Sequence, residues 1–226
     1  EHMILRGQTY SKTLEMETGL SVFVPNSFSR QKPYKIVYLL HGLTCSAYSW
    51  LDNTMLPHFA AAGDYAVVMP AVGRSFYADM KYGQRFFTYI TNELPQICRA
   101  VFNISADRAD TAIIGGSMGG YGALKAALTR PENYGYCCSL APGCLFIGNS
   151  TANGRGGAIY GSSGNVILEN CTFEDNHAAN GGAIAMDGNC SLSMTDCQVT
   201  GNNADISAGG VYIYHGESMG KRNGTI

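Results

Sequence analysis

Between the apolar run "DTAIIGG" and the helix-forming run "SMGGYGALKAALTRP" lies Gly115-x-Ser117-x-Gly119. A serine in a sharp strand-to-helix turn, with glycines where strand and helix must pack closely, is an arrangement for nucleophilic attack on a carbonyl. The helix N-terminus favours the anionic oxygen that forms. The backbone N–H of Met118 is one candidate donor to that oxygen. A second is the N–H of Leu43, in the "HGLTC" loop after the apolar run "KIVYLLHG". A serine nucleophile also needs a base, held in turn by an acid. The only histidines after Ser117 are His177 and His215. His177 reads as an exposed turn residue; His215, in "IYHGE", is the freer of the two and the candidate base. His41, just before the oxyanion loop, reads as a loop residue beside the hole rather than as the base. No residue cluster implies a metal or a cofactor; Asp187-Gly-Asn offers one acid with neighbouring carbonyls, too little for calcium.

The elements that must position Ser117 read as an alternating pattern. "GLSVFVP", "KIVYLLHG", "YAVVMP", "DTAIIGG" and "YGYCCSLAPG" are strands, and the near-continuous apolar runs among them fit a parallel sheet buried on both faces. "FFTYITNELPQICRAVF" and the run from Ser117 to Pro131 are helices, the first kinked or broken at Pro95. Strands alternating with helices imply α/β architecture.

The stretches "YLLHGLTCSAYSW", "VVMPAVGRSFYADMKYG", "ELPQI", "GGSMGGYGALKAAL" and "RPENYGYCCSLAPG" resemble the esterase D-type esterases, which include tributyrin or acetyl esterases, feruloyl esterases and S-formylglutathione hydrolases. The resemblance covers about residues 4 to 143. It implies an α/β-hydrolase fold, Ser117 as nucleophile, Leu43 and Met118 as oxyanion donors, and a small ester or thioester substrate. It further implies a substrate pocket near His41, Gly42, Tyr77, Asp79, Tyr82 and Gly83. Members of that family continue with two more strands that carry the acid and the histidine. This chain departs from the pattern after the strand that follows the elbow helix. The strand "YGYCCSLA" is therefore expected to be a bare, apolar sheet edge.

After Pro142-Gly143 the composition shifts: Gly, Asn and Ser rise, and Lys and Arg nearly vanish. Three stretches then align, from Cys144, Cys171 and Cys197, spaced by 27 and 26 residues. They share Cys-x-(Phe/Val)-x-x-Asn, with Asn149, Asn176 and Asn202, followed by Gly156-Gly157, Gly181-Gly182 and Gly209-Gly210. Such a period marks a solenoid. Phe146, Phe173 and Val199 are expected to stack inside with the three cysteines, the asparagines to form a turn ladder, and the Gly pairs to allow tight corners. Asp175, Asp196 and Asp205 fall at repeat turns and edges. The pattern resembles the polymorphic outer-membrane-protein repeat of bacterial surface proteins. It implies a short right-handed parallel β-helix of about three coils, with cell-surface or glycan contact.

The sequence thus predicts two domains: 1–143, an α/β-hydrolase lacking its last strands, and 144–226, a β-helix segment. The first solenoid coil could pack on the truncated sheet, each end covering the other; alternatively the chain is a chimera of two unrelated sequences. A formal net charge of -2 gives no reason to expect nucleic acid, no apolar run reaches membrane-spanning length, and no secretory leader is read. The eight cysteines form no CxxC pair, which leaves the redox compartment open. On localisation the parts disagree: the first resembles cytoplasmic enzymes, the second secreted or surface proteins.

Overall fold

In the computed structural model, the described residues are 2–25, 32–140, 145–162, 164–188 and 190–214. They fall into two compact units. The first comprises Glu1–Cys144, Asn165–Cys171 and Ser193–Cys197; the second comprises Leu145–Gly164, Thr172–Leu192 and Gln198–Ile226.

The first unit is built on a mixed sheet. Its strands are β1 (His2–Ser11), β2 (Met16–Pro25), β3 (Lys35–Leu40), β4 (Tyr65–Pro70), β5 (Thr111–Gly116), β6 (Tyr136–Leu140), β9 (Gly164–Glu169) and β13 (Cys190–Thr195). Their order is β1-β2-β4-β3-β5-β6-β9-β13. β1 and β2 form an antiparallel pair, and β2 is antiparallel to β4. β4, β3, β5, β6 and β9 run parallel. The apolar runs that read as doubly buried strands are so: Ala66 to Pro70 in β4 are all buried. Phe23, Leu39, Leu51, Ala60, Val67 and Met69 form one core cluster, with Trp50 packed against it. Strand β1 went unread in the sequence, because it is an edge strand exposed along most of its length and carries no clean alternation.

Helices α1 (Ser49–Asn53), α2 (Leu56–Ala61), α3 (Phe86–Thr88), α4 (Leu94–Val101) and α5 (Met118–Thr129) connect the strands. The expected break at Pro95 is instead a change of helix type. A π-helical turn over Tyr89–Glu93 joins α3 to α4, and Pro95 sits in the first turn of α4. The Thr91 carbonyl, four residues back, which Pro95 has no N–H to engage, accepts instead from Asn133 Nδ2 at 3.2 Å.

The expected bare edge at β6 is also corrected. β9 lies beside it in parallel register, Cys137 facing Val166 and Ser139 facing Leu168. The unpaired backbone groups of an apolar edge are thereby satisfied.

In the second unit β7 (Leu145–Ile147), β10 (Thr172–Glu174) and β14 (Gln198–Thr200) form one parallel sheet. β8 (Ile159–Gly161), β12 (Ile184–Asp187) and β16 (Val211–Tyr214) form another. β11 (His177–Asn180) pairs with β15 (Asn203–Ser207). Phe173 is in register with Phe146 and Val199, and the two phenyl rings stack at 4.7 Å. The asparagines form a ladder. Asn176 Oδ1 accepts from the backbone N–H and amide of Asn149, at 2.9 and 2.8 Å, and Asn202 Oδ1 accepts likewise from Asn176, at 3.0 and 2.8 Å. Cys171 is buried and Cys197 half-buried, while Cys144 lies outside the described residues.

One expectation shifts by a residue. Ile159, Ile184 and Val211 share a register, so Ala208, not Gly209, occupies the corner held by Gly156 and Gly181. All three have positive φ: 67°, 66° and, for Ala208, 56°. An irregular step between Ala178 and Asn180 in the β11–β15 pairing absorbs the extra residue.

Candidate active site

Ser117 sits between β5 and α5 at φ 55° and ψ -123°, a conformation that non-glycine residues rarely adopt. Two anchors hold it. Its N–H donates to the Leu140 carbonyl at 2.9 Å, and its own carbonyl accepts from Tyr121 N–H at 3.1 Å. The glycines on either side are required by space. A Cβ on Gly115 would come within 2.2 Å of the Gly119 backbone, and one on Gly119 within 2.3 Å of the Leu40 carbonyl oxygen. Ser117 itself is exposed. Among the described residues its hydroxyl has no hydrogen-bond partner.

The loop after β3 lies against this turn. A Cβ on Gly42 would stand 3.6 Å from Ser117 Cβ and 3.5 Å from the Gly116 carbonyl oxygen. Leu43 follows, half-buried; Met118 opens α5 with its side chain buried. The N–H groups of a first helical turn have no partner within the helix and point toward its N-terminal end.

His41 is 1% exposed, and both ring nitrogens are engaged. Val72 N–H donates to Nε2 at 3.1 Å, so Nε2 carries the lone pair and the proton resides on Nδ1. Nδ1 then donates to the Gly42 carbonyl at 2.7 Å. Burial lowers the His41 pKa, opposed in part by the Gly42 carbonyl. A neutral imidazole with both nitrogens bonded inside the protein cannot take a proton from Ser117. It ties the loop after β3 to the loop after β4.

Tyr77, expected at the substrate pocket, is fully buried instead. Its hydroxyl donates to the His41 carbonyl at 2.9 Å, and its ring leaves no room for a Cβ at Gly122, which would meet it at 2.4 Å. Phe76 and Tyr77 both have positive φ, 49° and 50°. Two consecutive strained residues of this kind cost on the order of 1–3 kcal/mol each and persist only where packing forces them. Tyr82, also expected at the pocket, is 90% exposed, with the Lys81 ammonium 5.1 Å from its ring centroid. Asp79 accepts from the backbone N–H of Thr88 at 2.9 Å and from its hydroxyl at 2.6 Å.

Three side chains near the turn were not singled out from the sequence. The ring of Trp50, the single tryptophan, would lie 3.5 Å from a Cβ on Gly116, and its N–H donates to Leu40 O at 3.2 Å. Tyr121 and Lys125 lie one and two helical turns beyond Ser117; Phe76 meets the Tyr121 ring edge-on at 6.4 Å. The spacing Ser117, Tyr121, Lys125 was the available signal. Burial lowers the Lys125 pKa, with Asp79 opposing.

His177, in the second unit, bonds Asp205 through Nε2 at 3.0 Å, both side chains partly exposed. His215 lies outside the described residues. Among the described residues no three His, Cys, Asp or Glu side chains group to hold a metal ion, and no helix is long and apolar enough to cross a membrane.

The family model described as "Putative esterase" matches residues 11–181, most of the chain. The chain belongs to this esterase family. An acetyl esterase of Caldicellulosiruptor saccharolyticus is 31% identical over 140 residues, covering 58% of this chain and 53% of that protein. The chain thus spans about half the length of the curated relatives it matches. Among solved structures, fluorophosphonate-binding serine hydrolase F of Staphylococcus aureus, substrate bound, is 34% identical with a TM-score of 0.56 over 60% of this chain and 55% of that one. S-formylglutathione hydrolase of the same organism, as apoenzyme, is 33% identical with a TM-score of 0.58, over 62% and 57%. These neighbours and the mostly parallel, mixed sheet fit an α/β-hydrolase-like fold for this esterase-family chain.

Proposed function

We propose that the first unit is a serine carboxylic-ester hydrolase acting on small acyl esters or S-formylglutathione-type thioesters. The observation that carries this reading is the strained Ser117 at the head of α5, with the Gly42-Leu43 loop packed beside it. In this scheme Ser117 Oγ attacks the acyl carbon, and the N–H groups of Leu43 and Met118 stabilise the oxyanion. The alcohol or thiol leaves, and water then hydrolyses the acyl-enzyme. The His41–Tyr77 network holds the oxyanion loop against Ser117. The step that lacks a group is proton removal. His41 is committed to Val72 and Gly42, and the base proposed is His215, the candidate read from the sequence.

An unassisted serine hydroxyl is a poor nucleophile. Oxyanion stabilisation and binding alone sustain a residual rate on the order of a thousandfold over water in dismantled triads. Turnover by this chain is therefore expected to be slow. The test is p-nitrophenyl acetate hydrolysis by the parent chain, Ser117→Ala and His215→Ala. Loss of a measurable rate in both variants supports Ser117 as nucleophile with His215 as base. A parent rate equal to that of Ser117→Ala rejects this chain as an esterase.

A second reading concerns residues 144–226, as a right-handed parallel β-helix of three coils with a surface or adhesion role. The in-register Phe146, Phe173 and Val199 and the asparagine ladder support it. In this reading the chain divides at 143/144, by gene fusion or as a chimera. Cell-surface or glycan binding that survives Ser117→Ala supports it.

A further inference from the structure

Two cysteines that neither the esterase scheme nor the asparagine ladder uses are brought together by register. Thr172 on β10 pairs with Gln198 on β14, so the residues before them, Cys171 and Cys197, occupy equivalent positions on adjacent strands. Each follows a non-glycine corner residue of positive φ, Asn170 at 53° and Asp196 at 51°. The two corners are joined, Asn170 N–H donating to the Thr195 carbonyl at 3.0 Å. Both segments, Asn165–Cys171 and Ser193–Cys197, belong to the first unit, where β9 and β13 are neighbours in the sheet.

The two side chains take the same course. Each thiol reaches the carbonyl two residues back, Cys171 Sγ to Glu169 O at 3.6 Å and Cys197 Sγ to Thr195 O at 3.4 Å. Cys197 Sγ also reaches Leu168 O at 3.6 Å, on the strand that leads into Cys171. Burial raises the Cys197 pKa; the Cys171 N–H opposes that shift and the Cys171 thiol adds to it, so the two cysteines are in direct contact. Neighbouring parallel strands lie about 4.8 Å apart, within the Cα separation of roughly 4.4–6.8 Å that a disulfide spans. Access differs between the two: Cys171 is 1% exposed and Cys197 is half-buried. Cys98 and Cys137 are both buried, which pushes their thiols up to about 12 and leaves them inert.

We infer that Cys171 and Cys197 form a reversible disulfide under oxidising conditions, fastening the end of β13 to the end of β9. The oxidant is a low-molecular-weight disulfide of the glutathione type. The Cys197 thiolate attacks one of its sulfurs, forming a mixed disulfide and releasing one thiolate. The Cys171 thiolate then attacks Cys197 Sγ and expels the second. Two protein thiols are oxidised, one small disulfide is reduced, and the two protons pass to the released thiolates. β9 is the strand that pairs with the edge of β6, so the cross-link holds that cover in place.

The full chain is incubated with oxidised glutathione, free thiols are blocked with iodoacetamide, and the product is cleaved at acidic residues. Such cleavage puts Cys144, Cys171, Cys190 and Cys197 on separate peptides. A linked Cys171–Cys197 peptide pair is expected, released by dithiothreitol. The oxidised chain should also melt roughly 5–10 °C above the reduced one, because the bond closes a long loop in the unfolded chain. Cys171→Ser should instead trap glutathione on Cys197, and Cys197→Ser should abolish both the link and the thermal shift. Alkylation of both cysteines in the oxidised parent would overturn the assignment. So would glutathione retained on Cys197 of the parent, a link from Cys171 to Cys144 or Cys190, or a link that forms only in denaturant.

Discussion

The turn at Ser117 and the stacked strands of the second unit solve the same problem, a tight backbone corner, in opposite ways. At Ser117 every special residue occurs once, and its neighbours are backbone. Gly115 faces Gly119, and Gly119 faces the Leu40 carbonyl. In the second unit each corner and each ladder position recurs, so Gly156, Gly181 and Ala208 share one conformation. Both kinds of corner are backbone-lined, since a Cβ on Gly156 or Gly181 would overlap the Ile159 or Ile184 carbonyl, but the turn at Ser117 has no equivalent stacked beside it. A repeated corner tolerates an imperfect member, because its neighbours hold the register. The contrast predicts steep, all-or-none losses in the first unit and graded, position-dependent losses in the second.

The largest expected effect is Gly119→Ala. Its Cβ would meet carbonyl oxygens of Leu40 and His41, at 2.3 and 2.8 Å, which are held in the sheet and loop. Destabilisation above about 3 kcal/mol is expected in urea titration, or failure to fold. A loss below 1 kcal/mol would show that the turn can relax and would break the contrast.

Next comes the ladder. Asn176 is fully buried and bonded on both sides, whereas Asn149 stands at one end. Asn176→Ala is expected to cost about 2–4 kcal/mol and Asn149→Ala about 1 kcal/mol. Equal losses would mean that the stacked strands do not couple as nearest neighbours.

A smaller effect of opposite sign is expected at the imperfect corner. Ala208→Gly relieves an alanine at φ 56° and should stabilise the chain by up to about 1 kcal/mol. A destabilised variant would show that the methyl group contributes packing that outweighs the strain.

The smallest is a pH effect in the first unit. Burial raises the Glu93 pKa, but hydrogen bonds from Ser11, Thr13 and Lys12 outweigh it and hold the carboxyl below its ordinary value. A depressed folded-state pKa contributes stability that is fully present above the unfolded carboxylate value, about 4.3, and is lost as pH falls through the folded value. Acid unfolding should therefore be less steep in Glu93→Gln than in the parent. Identical acid limbs would mean that the carboxylate does not anchor the turn between β1 and β2.

Much of this was legible in the sequence because it is local. An apolar run, a Gly-x-Ser-x-Gly step and a helix-forming stretch determine a strand, a turn and α5 without reference to anything distant. The 26- and 27-residue spacing of cysteines, and the matching Asn and Phe positions, likewise determined which residues share a register. Tertiary structure decided whatever depends on a partner far along the chain. His41 reads only as a loop residue beside the oxyanion hole until Val72, 31 residues on, claims its Nε2. Tyr77 reads as a pocket residue until its hydroxyl meets the His41 carbonyl, 36 residues back. The edge of β6 reads as bare until residues from Asn165 onward pair with it. Arg155, Tyr160 and Asp187 look like ordinary turn and strand residues until register brings them to one face. Period and polarity act over a few residues, so sequence displays them. Hydrogen bonds and desolvation act between residues that only folding brings together, so the roles of these side chains are set by the tertiary structure.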